Sequence, residues 1–144
     1  MFKRILVPTD GSELSLRAVN TAVQLAKTLG AGLVGVTVVE PYTYSGISEY
    51  RPEPLDDYEA RMDKLAATRF EPLETAAKAS NVACTTLMKK SFSPFEAIID
   101  TAKQKECDLI VIASHGRRGI SGVLLGSETQ KVLTHTTIPA LVVR

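Results

Sequence analysis

The sequence is short of cysteine, of net charge and of long apolar runs, and each shortage removes a class of protein. Two cysteines, Cys84 and Cys107, are too few for a disulfide framework or a thiolate metal site. Cys107 lies beside one apolar run and Cys84 within another, so both read as small core residues. Seventeen Lys and Arg against sixteen Asp and Glu leave a formal charge of +1. That balance gives no electrostatic footprint for nucleic acid or an anionic membrane. The pairs Arg117-Arg118 and Lys89-Lys90 are isolated and read as solvated surface. No apolar run reaches membrane-spanning length, and Met1-Phe2-Lys3-Arg4-Ile5 enters an apolar segment without the pattern of a signal peptide. The expectation is a soluble cytoplasmic protein with no membrane and no nucleic acid among its partners. Repeats and low-complexity segments are absent, and 144 residues suit one domain covering 1–144.

Two nucleotide fingerprints are also missing. The P-loop pattern G-x-x-x-x-G-K-[ST] does not occur, and Asp10-Gly11-Ser12 stands where G-x-G-x-x-G would follow a first strand. This argues against a standard NAD site.

What is present is a regular alternation. Ile5-Leu6-Val7 predicts a first strand, ending at the turn Pro8-Thr9-Asp10-Gly11-Ser12. Leu14, Ala18, Ala22, Leu25 and Leu29 recur at helical spacing, predicting a helix from about Ser12 to Leu29, closed by Gly30. Leu33 to Val39 is apolar on both faces, as a central parallel strand is. A polar loop with Pro41, Pro52 and Pro54 follows, then a helix over about Asp56 to Ser80 with Tyr58, Met62, Leu65, Leu73 and Ala76 on one side. Val82 to Met88 predicts the third strand. Ser93-Pro94-Phe95-Glu96 predicts a helix start in which Ser93 caps and Glu96 reaches back, with the helix ending near Glu106. Leu109 to Ala113 and Ile138 to Val143 complete five strands, with a fourth helix from Glu128 to His135 between them. The fold class that follows is α/β, a doubly wound parallel sheet flanked by four helices. Ligands of such sheets sit at the C-terminal strand ends, where the strand order switches. Asp10 follows strand one and Gly116 follows strand four, so both loops face one crevice if those strands are neighbours.

The stretch Ala113-Ser114-His115-Gly116-Arg117-Arg118-Gly119-Ile120-Ser121-Gly122-Val123-Leu124-Leu125-Gly126-Ser127 carries the chemistry. A strand that opens into a glycine-rich loop and then a helix N-terminus is an anion site. Glycine lets the backbone approach a ligand and take up positive φ, and the first helical turn presents free N–H groups. Phosphate binding is the reading, with a nucleotide as its carrier.

Val7-Pro8-Thr9-Asp10-Gly11-Ser12, Ser114-His115-Gly116, Leu124-Leu125-Gly126-Ser127 and the ending Ile138-Pro139-Ala140-Leu141-Val142-Val143 together resemble the universal stress protein family, along the whole chain. Nucleotide-binding members carry Gly, two residues, Gly, nine residues, Gly, then Ser or Thr. Gly116, residues 117 to 125, Gly126 and Ser127 match that spacing, and Ala113 replaces the first Gly. The resemblance implies ATP as the ligand, with Mg or Mn carried on its phosphates. It implies that Pro8 and Asp10 belong to the cofactor site, with Asp10 bonding the ribose or supporting the turn. The Val38 backbone would meet adenine, and Ala113 and Gly116 would approach the ribose and phosphates. Gly126, Ser127 and the amide of Glu128 would hold the terminal phosphates. Relatives of this kind pair through the last strand, which implies a homodimer.

Each residue also has a plainer reading. Ser127 with Gln130 spells a capping box. Asp10 with Glu13 spells a cap for the first helix. Glu128 would repel a phosphate if its carboxylate pointed inward. Gly119 and Gly122 read as loop flexibility, and His115 has no evident nucleophile beside it. Tyr42, Tyr44, Tyr50 and Tyr58 fall in one segment, as a lid, a partner surface or a cover for the loop. Three functions remain open: an ATP-binding sensor or regulator, an interaction module marked by Ala113 as having lost nucleotide, and a nucleotide-hydrolysing relative. No acid, base and nucleophile set supports the last, so no catalytic residue is assigned.

Overall fold

The computed structural model describes residues 1–43, 53–117 and 125–144. Strands and helices alternate as β1 (Arg4–Pro8), α1 (Glu13–Leu29), β2 (Gly32–Val39), α2 (Leu55–Ala79), β3 (Cys84–Lys90), α3 (Pro94–Gln104), β4 (Leu109–Ala113), α4 (Ser127–His135) and β5 (Ala140–Val143). All pairings are parallel, in the order β3-β2-β1-β4-β5. β1 therefore lies beside β4, the neighbour relation on which the shared crevice depends. β3 and β5 form the edges. Relative to the sequence reading, β3 starts and ends two residues later, and β5 starts at Ala140 rather than Ile138.

Alternation along the strands divides the interior into two layers. Ile5, Val7, Leu33, Leu109, Val111 and Ala113 pack with Ala18, Val19, Ala22 and Ala26 of α1 and Leu73 and Ala77 of α2. Leu6, Val34, Val36, Ile110 and Ile112 pack on the other face with Ile98, Ile99 and Ala102 of α3 and Val132 of α4. Strands buried on both sides must be apolar throughout, which is why β1, β2 and β4 read as continuous runs. Gly35 faces α2, where an added Cβ would collide with Leu73, so its lack of a side chain sets how closely that helix approaches.

The helix ends show which local signals act. Ser12 caps α1, accepting from the Ser15 amide at 3.2 Å, and Gly30 closes it at φ 66°. The Gly30 closure matches the sequence expectation, whereas the cap is Ser12 and not Asp10 with Glu13 as its partner. The start of α3 differs. Pro94 occupies the first turn, but Ser93 makes no side-chain cap. The Phe95 amide donates instead to Glu128 Oε2 at 2.9 Å, so a carboxylate from α4 fills the capping role. Cys84, on the edge strand β3, is half-buried against the core. Cys107 is buried, and that burial pushes its thiol up to about 11, so it stays a neutral packing group.

Candidate functional site

The crevice opens where β1 and β4 end. After β1, the chain turns through Gly11 at φ 79°, a conformation that L side chains rarely adopt. Asp10 spans the opening. Its Oδ1 accepts from the Ser12 amide at 2.9 Å, and its Oδ2 accepts from the Arg117 amide at 2.8 Å. One carboxylate thus ties the β1–α1 turn to the loop after β4. Burial opposes its ionisation, but the Ser12 hydroxyl and amide, the Arg117 amide and Ser15 outweigh burial and hold the carboxyl below its ordinary value. Gly116 lies against this carboxylate, where an added Cβ would collide with Asp10 Oδ2. Among the described glycines only Gly11 and Gly30 have positive φ. Gly116 and Gly126 thus do not supply the expected positive φ, and what their missing side chains allow is close approach, to Asp10 and His115.

The start of α4 differs from the capping-box expectation. Its N-cap is Gly126, extended at φ −69°, and among the described residues no side chain caps the helix. Ser127 is the first helical residue and is exposed. Gln130 Nε2 donates to the Leu125 carbonyl at 3.0 Å rather than closing a box with Ser127. The Gly126 amide donates to the Ser114 carbonyl at 2.7 Å, and a Cβ on Gly126 would stand 2.9 Å from His115 Cβ. Glycine is required there to seat the helix start on the loop after β4. The Glu128 carboxylate is committed to Phe95 and also meets Lys131 at 3.4 Å. It is turned toward α3, so the first turn of α4 carries the positive end of its dipole and no side-chain cap.

Ala113 is reassigned in chemical terms. Its methyl is buried in the core layer shared with α1, not in the crevice, and its carbonyl accepts from Thr129 Oγ1 at 2.8 Å. Replacement of the motif glycine by alanine adds no group to the crevice. Pro8 ends β1 in register with Val36, half-buried, and Val38 is half-buried near the end of β2. Arg69, which the sequence reading missed, reaches the same place, its Nη1 donating to Thr37 Oγ1 at 2.9 Å and to the Val38 carbonyl at 3.4 Å. Its only sequence signal was position: it sits on the same side of α2 as Met62 and Leu73, as one charge among apolar residues.

The structure gathers Pro8, Asp10, Gly116, Gly126, Ser127 and Glu128 around adjoining strand ends. Val38 stands one strand further, on β2. His115 Nδ1 lies 3.3 Å from the buried Ser114 hydroxyl, and no described carboxylate is bonded to it. The Tyr42 and Tyr58 rings meet at 5.2 Å, tilted by 50°, with their hydroxyls donating to the Glu53 and Glu40 carbonyls respectively. These two tyrosines pack with Val39, Met62 and Met88. Tyr44, Tyr50, Arg118, Gly119 and Gly122 lie outside the described residues. Among the described residues no group of three or more His, Cys, Asp or Glu is placed to hold a metal, and no helix is long and apolar enough to cross a membrane.

A doubly wound parallel sheet with a helix N-terminus and two loops meeting at its switch point defines an α/β domain of the class whose ligands sit at the strand ends. The chain belongs to the universal stress protein family, whose model matches residues 1–144. It is 35% identical to universal stress protein YxiE of Bacillus subtilis, covering 100% of both chains. The solved structure of universal stress protein UspA from Lactobacillus plantarum is 30% identical, with a TM-score of 0.77 over 99% of this chain and 98% of that one. A universal stress protein solved in complex with cAMP is 26% identical, with a TM-score of 0.71 over 99% and 97% of the two chains.

Proposed function

We propose that this protein is a cytoplasmic sensor or regulator that binds ATP in the crevice between the ends of β1 and β4. The observation that carries the reading is the first turn of α4. Among the described residues it has no side-chain cap, its serine is exposed, and its one carboxylate is drawn away to α3. First-turn amides without an acceptor among the described residues, at the positive end of a helix dipole, suit a phosphate. In this reading Gly126, Ser127 and the Glu128 amide hold the terminal phosphates, and Gly116 and the Ala113 backbone pass the ribose and inner phosphates. Pro8 and Asp10 line the ribose side, and the Val38 backbone meets the base. Asp10, held ionised, is an acceptor for ribose hydroxyls. The residues fit a nucleotide whose divalent ion, Mg or Mn, rides on the phosphates, because among the described residues the crevice offers Asp10 as its one carboxylate. The cAMP complex of a relative supports an adenine nucleotide as the ligand class.

Two further parts of the reading concern assembly and chemistry. The protein pairs as a homodimer through the open edge of β5. Regulation rather than hydrolysis is favoured because, among the described residues, the side-chain partner of His115 is the buried Ser114 hydroxyl and no carboxylate. The alternative of an interaction module without nucleotide rested on Ala113, whose methyl lies in the core.

Ser127→Asp tests the site without threatening the fold. An acidic residue in the first turn suits the helix dipole, yet it sets a negative charge against the phosphates. ATP affinity by calorimetry should fall at least about tenfold, or ~1.4 kcal/mol, with an unchanged melting temperature. Unchanged ATP affinity in this variant removes the phosphates from α4.

A further inference from the structure

β1 and β4 separate before either strand ends. Their ladder pairs Ile5 with Leu109 and Leu6 with Ile110 and stops there, although β1 runs on to Pro8 and β4 to Ala113. On their other sides both strands stay paired to the end, β1 with β2 as far as Pro8 and Val36, and β4 with β5 as far as Ala113 and Val143. The crevice is therefore a split in the sheet. The Ser114 amide donates to the Val143 carbonyl of β5. The carbonyl on the same trans peptide plane is that of Ala113, so it points the opposite way, into the split. A buried carbonyl that has lost its neighbouring strand must be paired from elsewhere. Here the partner is Thr129 of α4, whose Oγ1 donates to it at 2.8 Å.

Other helical threonines use their hydroxyls differently. Thr28, Thr68, Thr101 and Thr134 donate to the carbonyls of Gln24, Lys64, Ala97 and Gln130, each four residues back in its own helix. Such bonds tie a helix only to itself. Thr129 lies in the first turn of α4 and is buried, and the carbonyl four residues before it, that of Leu125, already accepts from Gln130 Nε2. Its hydroxyl reaches across to β4 instead. The Gly126 amide meets the next carbonyl of the same strand end, that of Ser114, at 2.7 Å. The start of α4 is thus pinned to two successive carbonyls. The Gly126 bond fixes where the helix begins. The Thr129 bond, most of a turn further on, fixes its rotation about its own axis, and with it the direction in which the Ser127 and Glu128 amides point.

We propose that Thr129 is the positioning residue of the phosphate site, its hydroxyl on the Ala113 carbonyl turning α4 so that the Ser127 and Glu128 amides face the split between β1 and β4. The inference rests on the nucleotide reading above and adds the residue that aims its phosphate donors. Calorimetry of the full chain with ATP and AMP tests it on wild type, Thr129→Val and Thr129→Ser. Valine keeps the shape and removes the hydroxyl, whereas serine keeps the hydroxyl. Thr129→Val should lose at least about tenfold in affinity for ATP and bind AMP, which lacks the terminal phosphates, as wild type does. Thr129→Ser should restore ATP binding. A Thr129→Val variant that melts lower but binds ATP as wild type does makes the hydroxyl a stability contact only, which overturns this inference and leaves the nucleotide reading standing. Equal losses for ATP and AMP make it a support of the whole crevice, and a Thr129→Ser variant as weak as Thr129→Val makes the methyl the operative group; either overturns phosphate positioning. A wild type that binds ATP no tighter than AMP overturns the placement of the terminal phosphates on α4 and this inference with it, and one that binds neither overturns the nucleotide reading as well. Should Thr129→Val melt too low to titrate, Thr129→Ala, which leaves room for a water on the Ala113 carbonyl, is read by the same outcomes.

Discussion

Asp10 shows how much a single residue joins. Its two oxygens bind amides from segments more than a hundred positions apart in sequence, and the Gly116 backbone lies against one of them. The carboxyl is held below its ordinary value, so its stabilising contribution is present above the unfolded pKa of about 3.9. That contribution fades as pH falls through the depressed folded value. Asp10→Asn should therefore lower stability near pH 7 by ~1 kcal/mol, because an amide cannot accept at both ends. The gap between variant and wild type should close in denaturant melts below about pH 4. A gap that is constant with pH would mean the charge has no part in it. The sequence made Asp10 a candidate but not its partner. Its position before Gly11 and Ser12 is local, whereas the Arg117 amide reaches it only because β1 and β4 are neighbours. Ser127 and Gln130 show the opposite error. Their spacing spells a capping box, but His115 and the Ser114 carbonyl hold Gly126 in the cap position, and the serine moves into the helix.

Among the elements, α3 and α4 are tied at their N-termini by one side chain. Glu128 gives its carboxylate to the Phe95 amide, a charge-assisted bond at the positive end of α3. This single contact caps one helix and clears the other of negative charge. Glu128→Ala should cost about 1 kcal/mol, and the loss should be local. Hydrogen exchange of amides in the first turn of α3 should speed up, while those of α1, capped by its own Ser12, should not change. Equal acceleration in both helices would show a global loss and dissolve the capping account. Apolar periodicity made all the helices and strands legible, because burial on one or two faces leaves a mark at every second, third or fourth residue. Caps supplied from another element leave none. Ser93 looked like a cap because its sequence neighbours are right, and Glu128 looked like a hazard to phosphate because its tertiary partner is 33 residues away. Ala113 was misjudged for a related reason: the motif reports a position in the chain, and only strand alternation tells which layer its methyl enters.

On the scale of the whole molecule, the sheet leaves one short, half-apolar edge. β5 pairs with β4 on one side only. The Pro139 carbonyl accepts from the Ile110 amide at 2.9 Å and the Val143 carbonyl from the Ser114 amide at 2.8 Å. In a parallel ladder, backbone groups of alternate residues face the same neighbour. Residues 139, 141 and 143 therefore face β4, and the N–H and C=O groups of Ala140 and Val142 face the open edge. Such an edge is a template for another strand, and a two-fold axis would set two copies of β5 antiparallel. Val142→Pro is a selective test, because the donor it removes points away from β4 and the ladder inside the subunit is spared. Light scattering at matched concentration should give a dimer for wild type and a monomer for Val142→Pro, with circular dichroism alike for the two. A monomeric wild type ends the edge-pairing proposal. A folded variant that remains dimeric moves the contact to another surface, and the exposed Leu133 and Phe92 then become the next side chains to replace.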